Sequence, residues 1–154
     1  WTMGVASYTD EKFKSNFRHN SFFVGNTTRD AVNKGLADYS PVFLSQVPFL
    51  FENGMIPIDV AMIQVSPPDK HGFVSLGISV DIVKAATEVA DMVIAQINSY
   101  MPRVHGDTFL NIRDIDYMIW KDEPLLEYNP SVKNEIGDAI GKYIARIVKQ
   151  QLGK

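Results

Sequence analysis

One stretch restricts the fold more than any other: Ile58 to Val65 reads IDVAMIQV, apolar on both parities apart from Asp59 and Gln64. A strand with one face in water alternates apolar and polar residues, whereas a strand covered on both faces need not. The run therefore predicts a central strand with layers on both sides. Met92 to Ile97 repeats the signature as MVIAQI. Between the two, Phe73 to Ile78 is a shorter strand signal, and Ser79 and Asp81 open a helical pattern lasting to about Ala90. Strand, helix and strand within so short a stretch form a parallel crossover unit. Ile58–Val65 and Met92–Ile97 are thus expected as neighbouring or near-neighbouring parallel strands. The fold class is α/β, an open, mostly parallel sheet flanked by helices.

The flanking segments fit that class. Ser21 to Val24, aromatic and β-branched, predicts a strand, and Thr27 to Gly35 a short helix with Asp30 in its first turn and Gly35 as its stop. Asn26, in the sequon Asn26-Thr27-Thr28, reads as the N-cap of that helix. Pro41 to Leu44 is a second apolar run, after which Ser45 can cap a helix that carries Pro48 in its first turn and ends at Asn53-Gly54. Phe109–Ile112 and Tyr117–Trp120 predict two more strands, followed by an acidic, proline-containing loop from Lys121 to Pro130. Val132, Ile136, Ile140, Tyr143, Ile144, Ile147 and Val148 then recur at three- and four-residue steps, opposite Lys133, Glu135, Asp138, Lys142, Arg146 and Lys149. That is an amphipathic helix, with Asn129-Pro130 marking its start. With no internal repeat or linker, residues 1–154 read as a single α/β domain.

Composition removes several functions. A chain of 154 residues can bury roughly 68–70% of its unfolded surface, so its core needs no staple. With Cys 0, a disulfide scaffold, a thiol nucleophile and a thiolate zinc site are excluded, and a reducing, cytoplasmic setting fits. A net charge of -3 supplies no basic field for nucleic acid. No stretch reaches the ~18 apolar residues of a membrane helix. His19, His71 and His105 match no zinc spacing, so no metal is expected. A GxGxxG turn, a P-loop and a GxSxG elbow are likewise missing. The start, Trp1-Thr2-Met3-Gly4, lacks a basic-then-apolar leader and reads as a cut end.

Open α/β sheets hold ligands outside the carboxyl ends of their strands, which directs attention to the segments after Val65 and Ile97. After the first comes VSPPDKHGFVSLG, where Pro67 and Pro68 stiffen a turn, Gly72 and Gly77 permit close backbone approach, and Ser66, Asp69, Lys70 and His71 are the polar groups. Asp69 can either close an Asx-type turn on nearby amides or serve a ligand. After the second comes NSYMPRVHGDTF, in which Met101, Pro102 and Gly106 frame Arg103, His105 and Asp107. Arg103 could grip a carboxylate or phosphate bidentately. His105 and Asp107 could orient one another, although a trio so local in sequence more often satisfies its own loop.

Those two turns, SPPD and MPR, together with ADYSPVFLSQVP (Ala37–Pro48), DVAMIQVSPPDKHGFVSLGISVD (Asp59–Asp81), VIAQINSYMPRVHGDTF (Val93–Phe109) and IGDAIGKYIA (Ile136–Ala145), resemble the acetyl-CoA hydrolase/transferase family. Within it the likeness is greatest to 4-hydroxybutyrate or acetate CoA-transferases. It runs from about Phe17 to about Ile147. It implies a parent enzyme of two similar α/β domains with the active site between them, this chain being part of the first. It also implies additional strand-helix units upstream, and a glycine-rich strand-loop after Val148 that Lys149 to Lys154 do not match.

In such enzymes a glutamate of the second domain attacks an acyl-CoA thioester, and a glutamyl-CoA thioester is then intercepted by a carboxylic acid. Glu11, Glu52, Glu88, Glu123, Glu127 and Glu135 do not match that motif, so no catalytic residue is assigned here. The expected contribution is one cleft wall, from Ser66, Pro67, Pro68, Asp69, His71, Gly72, Met101, Pro102, Arg103, His105, Gly106 and Asp107. The resemblance implies a coenzyme A thioester as substrate rather than a resident cofactor, and a carboxylate such as acetate or 4-hydroxybutyrate as acceptor. Its further partners would be the second domain and, through apolar surface left uncovered, other copies in a homo-oligomer, but neither nucleic acid nor membrane. Acetyl-CoA hydrolysis and a non-catalytic α/β binding or assembly module are the alternatives.

Overall fold

The computed structural model describes residues 7–127 and 134–152. After two short 3-10 turns, β1 (His19–Ser21) pairs in parallel with β2 (Ala37–Tyr39), joined by α1 (Arg29–Asn33). Arg18 clamps this pair, its Nε and Nη2 donating to the Asp38 carboxylate at 2.6 and 2.5 Å. A 3-10 turn then leads into α2 (Val47–Glu52), with Pro48 in its first turn and Gly54 at φ 65° beyond its end.

The main sheet is β3 (Val60–Val65), β5 (Met92–Ile97) and β7 (Tyr117–Trp120), all parallel, in the order β3-β5-β7. Val65 lies opposite Ile97, and Ile97 opposite Trp120, so the three carboxyl ends are level. β4 (Phe73–Ser75) pairs antiparallel with β6 (Phe109–Asn111), and α3 (Val83–Val89) precedes β5. Ala61, Ile63 and Val65 of β3 and Val93, Ala95 and Ile97 of β5 face Val74, Leu76 and Leu110, with Ile115 completing a buried cluster. α4 (Glu135–Leu152) follows β7.

The architecture is the expected mixed α/β one, and the parallel β3–β5 pairing is as anticipated, but several elements differ. Ile58–Val65 is not central. β5 occupies the middle, and β3 is exposed on alternate residues, Val60 at 45% and Met62 at 81%. Apolar residues on both parities thus marked an apolar outer face, one that no described element covers. Phe73–Ile78 is not a strand of the crossover sheet. Its strand is short: the Leu76 amide still donates to the Thr108 carbonyl in the register of an antiparallel pairing, and Gly77, at φ 59°, turns the chain away. The β3–β5 crossover therefore contains β4 and α3 in one connection.

Near the start, the strand is His19–Ser21 rather than Ser21–Val24. The Ser21 hydroxyl donates to the Phe23 carbonyl at 2.6 Å and bends the chain out of the ladder. Asn26 does not cap α1, because the Gly25 carbonyl takes the Thr28 and Arg29 amides and delays the helix to Arg29. The second strand lies before the Pro41 run, since proline has no N–H for a ladder, and Ser45 sits inside the 3-10 turn Leu44–Gln46. Asn129, Pro130, Val132 and Lys133 lie outside the described residues. α4 is instead capped by Asn134, whose Oδ1 accepts from the Ile136 and Gly137 amides at 3.1 and 3.3 Å.

The two faces of the sheet should respond differently to truncation. Leu76→Ala, at a fully buried side chain, is expected to cost about 2–5 kcal/mol in urea unfolding. Met62→Ala on the open face should cost less than about 0.5 kcal/mol. Equal losses would contradict this assignment of faces.

Candidate functional site

Residues 66–72 and 98–108 leave the carboxyl ends of adjacent parallel strands, and hydrogen bonds fasten them together. The joint is Ser75, wholly buried at the end of β4. Its Oγ accepts the Gly77 and Val104 amides, each at 3.1 Å, and has the Val104 carbonyl at 3.2 Å for its proton. Its backbone closes a reciprocal pair with Ser66: the Ser66 amide donates to the Ser75 carbonyl, and the Ser75 amide to Ser66 Oγ, both at 2.9 Å. Thr108 Oγ1 donates to the Val104 carbonyl at 2.6 Å, closing the far side.

Asp69 forms the Asx-type turn, Oδ1 accepting the His71 and Phe73 amides at 2.9 Å. Its other oxygen accepts from Arg103 Nη2 at 2.6 Å, while Arg103 Nη1 donates to the Phe73 carbonyl at 3.1 Å. The guanidinium also lies 4.5 Å above the Phe109 ring. The Phe73 amide is the largest influence holding the Asp69 carboxyl below the usual carboxylate range, with the His71 amide and the Arg103 charge adding to it. Asp69 and Arg103, 34 residues apart, therefore bridge the two segments.

The remaining predicted residues divide between packing and display. Ser66 and Met101 are buried, Pro67, Pro68 and Gly72 half-buried. Met101 Sδ accepts the Ile78 amide at 3.4 Å, and a Cβ at Gly77 would lie 2.3 Å from that sulfur. Lys70, His71, Pro102, His105, Gly106 and Asp107 are exposed. His105 and Asp107 do not form a relay: His105 stacks edge-on against Phe109 at 5.8 Å, and Asp107 pairs with Lys84 of α3. That pairing raises the Lys84 pKa, the hydrogen bond to Asp107 being the main cause.

Sequence reading missed Ser75, Thr108 and Asn98. Asn98 is fully buried, directly after β5, with Nδ2 donating to the Glu123 carbonyl at 2.8 Å and to Gln64 Oε1 at 3.3 Å. Its Oδ1 accepts the Tyr100 and Glu123 amides. A polar residue ending an apolar strand was the available signal. Glu123 pairs with Lys121 at 2.9 Å and is held ionised, its pKa lowered first by that contact. Among the described residues there is no group of three His, Asp or Glu placed to hold a metal ion. The arrangement is a pair of cross-linked loops whose arginine bonds Asp69 and the Phe73 carbonyl.

A family model described as the acetyl-CoA hydrolase/transferase N-terminal domain matches residues 1–127. A 4-hydroxybutyrate coenzyme A transferase of Clostridium kluyveri is 48% identical over 96% of this chain and 34% of its own length. A succinyl-CoA:acetate/propanoyl-CoA:succinate CoA transferase of Fasciola hepatica is 41% identical over 94% of the chain and 30% of its own. The chain thus spans about a third of the length of these relatives. Among solved structures, RipA from Yersinia pestis superposes with a TM-score of 0.76 at 27% identity, covering 83% of this chain and 31% of that one. A 4-hydroxybutyrate CoA-transferase from Porphyromonas gingivalis gives 0.59 at 29% identity, covering 79% and 34%.

Gly77→Ala should cost at least about 1–3 kcal/mol in urea unfolding, since the added methyl meets the Met101 sulfur and the backbone sits at φ 59°. Gly35→Ala, at φ 71° in open space, isolates the conformational part and should cost less. A depressed folded pKa means that Asp69 contributes stability above its unfolded value, near 3.9, and loses it as pH falls through the lower folded value. Below that ordinary value the His71 and Phe73 amides should lose exchange protection before those of β5, as read by NMR. Simultaneous loss would refute the local role.

Proposed function

The chain belongs to the acetyl-CoA hydrolase/transferase family, matched through its N-terminal domain, and on that premise we propose that it forms part of an acyl-CoA:carboxylate CoA-transferase. The observation that carries this reading is the 48% identity, over nearly the whole chain, to a 4-hydroxybutyrate coenzyme A transferase. The substrates would be a short-chain acyl-CoA and a carboxylic acid such as acetate or 4-hydroxybutyrate. Coenzyme A then enters as part of a substrate and not as a bound cofactor. Cytoplasmic placement and homo-oligomeric assembly belong to the same reading.

In the proposed reaction a glutamate carboxylate of the second domain attacks the thioester carbonyl and expels the CoA thiolate, leaving an acyl-glutamyl anhydride. The thiolate returns to the glutamyl carbonyl and releases the first carboxylate, giving a glutamyl-CoA thioester. The acceptor carboxylate attacks that thioester, and the thiolate then attacks the new acyl carbonyl, which restores the glutamate. This chain supplies the opposite wall. Rigidity is its contribution: holding a thioester within reach of an attacking oxygen depends on walls that do not give. The Ser75 joint and the Asp69–Arg103 bridge supply that stiffness. Lys70, His71 and His105 are the groups free to meet an anionic substrate. Arg103 acts first as a positioning residue, two of its five N–H donors being committed to Asp69 and the Phe73 carbonyl.

The purified chain, given acetyl-CoA and a carboxylate acceptor, should transfer no CoA and carry no adduct in intact mass spectrometry. The Clostridium kluyveri relative with this chain in place of its matching segment should show a CoA adduct on a glutamate outside the replaced segment. An adduct on a glutamate of this chain would overturn the division of roles. Release of free CoA with water alone, independent of an acceptor, would replace transfer by hydrolysis.

A further inference from the structure

The smaller parallel pair, β1 and β2, has a space of its own beyond its strand ends. Phe22 and Phe23 follow β1, Tyr39 ends β2, and Val42 and Phe43 come shortly after it, so all five stand at carboxyl ends. Together with Ile82, which leads into α3, they line a cavity of about 330 Å³. A cavity of about 150 Å³ holds a benzene ring, so this one has room for a hydrocarbon tail of ~5 carbons.

The cavity offers little to a charged group. Among the described residues no lysine or arginine lines it. Ser21 Oγ donates to the Phe23 carbonyl at 2.6 Å, and Asn20 Oδ1 accepts from Ser40 Oγ at 3.0 Å, so those polar atoms are engaged. Burial pushes the His19 pKa below its usual value, which leaves the imidazole neutral near pH 7. The cavity also adjoins the site. Ile82 comes four residues after Ile78, whose amide donates to Met101 Sδ at 3.4 Å in the segment after β5. Four residues span at most ~14 Å, so one lip of the cavity lies within that distance of the Met101 contact.

We propose that this cavity is a tail site: it takes the hydrocarbon part of a carboxylic acid, or of its CoA thioester, and leaves the carboxyl carbon outside, toward residues 66–72 and 98–108. Phe43 and Val42 are then specificity-determining residues, and the substrate range extends past acetate and 4-hydroxybutyrate to unbranched acids of about six carbons. For the thioester the inference rests on the CoA-transferase reading, whereas binding of the free acid does not. Each methylene that enters the cavity should tighten binding ~4-fold until the space is full.

The first measurement needs no turnover: saturation-transfer NMR on the 154-residue chain with acetate, butyrate and hexanoate. Hexanoate should bind roughly 10-fold or more tighter than butyrate, and acetate should give no signal. Val42→Trp, which fills the cavity, should abolish hexanoate binding. Phe43→Asp, at a side chain 76% exposed and so tolerant of change, should weaken it at least ~10-fold. The second measurement uses the Clostridium kluyveri relative with this chain in place of its matching segment. There Phe43→Asp should lower kcat/KM for hexanoyl-CoA at least ~10-fold and that for acetyl-CoA less than ~2-fold. No hexanoate binding to the chain, binding unchanged in both variants, or equal losses for the two thioesters would overturn the tail site. Hexanoate binding lost in both variants, in a hybrid that turns over neither thioester, would uphold the site and count against the transferase reading alone.

Discussion

The structure depends on one buried hydroxyl. Ser75 ends β4 at the level of the carboxyl ends of the main sheet, and through its Oγ and backbone it holds the residues after β3, the turn at Gly77 and the segment after β5. A buried polar group left unpaired costs about 1–3 kcal/mol, so a serine at such a position is tolerable only when fully satisfied. Satisfying it requires both loops to adopt one arrangement. Asp69 and Arg103 then repeat the linkage nearer the surface, and Phe109 supports the guanidinium from below. Two loops that are 34 residues apart at Asp69 and Arg103 are thereby fastened together.

The features legible in the sequence are those whose signals are local. Parallel pairing of β3 with β5 could be anticipated because the connection between them is too long for a hairpin and contains a helix. The two site segments could be located because ligand positions in such sheets lie beyond strand ends, and the prolines and glycines there are unusual. Strand order was not legible. Met62 and Val60 carry the same apolar character whether a layer covers them or not, so two-sided burial was inferred where only one side is packed. Ser75 and Thr108 were missed for a related reason: their importance lies in contacts 29 to 33 residues away, which no local pattern announces. His105 and Asp107 illustrate the opposite case, neighbours in sequence whose partners, Phe109 and Lys84, separate them.

The functional reading has the same structure as the fold. Family membership establishes which enzymes this chain resembles, and the geometry indicates what a segment spanning about a third of them can contribute. Asp69 is engaged in a turn and in an ion pair with Arg103, Asp107 pairs with Lys84, and Glu123, the half-buried glutamate among the described residues, has its pKa lowered beside Lys121. Such groups orient and stiffen.

The most direct test is hydrogen exchange with and without acetyl-CoA, in an enzyme where this chain replaces the matching segment of the Clostridium kluyveri relative. If the joined loops form the substrate wall, acetyl-CoA should slow exchange in residues 66–72 and 98–108 together, while the open face of β3 stays unchanged. Slowing confined to other segments, or to only one of the two loops, would contradict a shared wall.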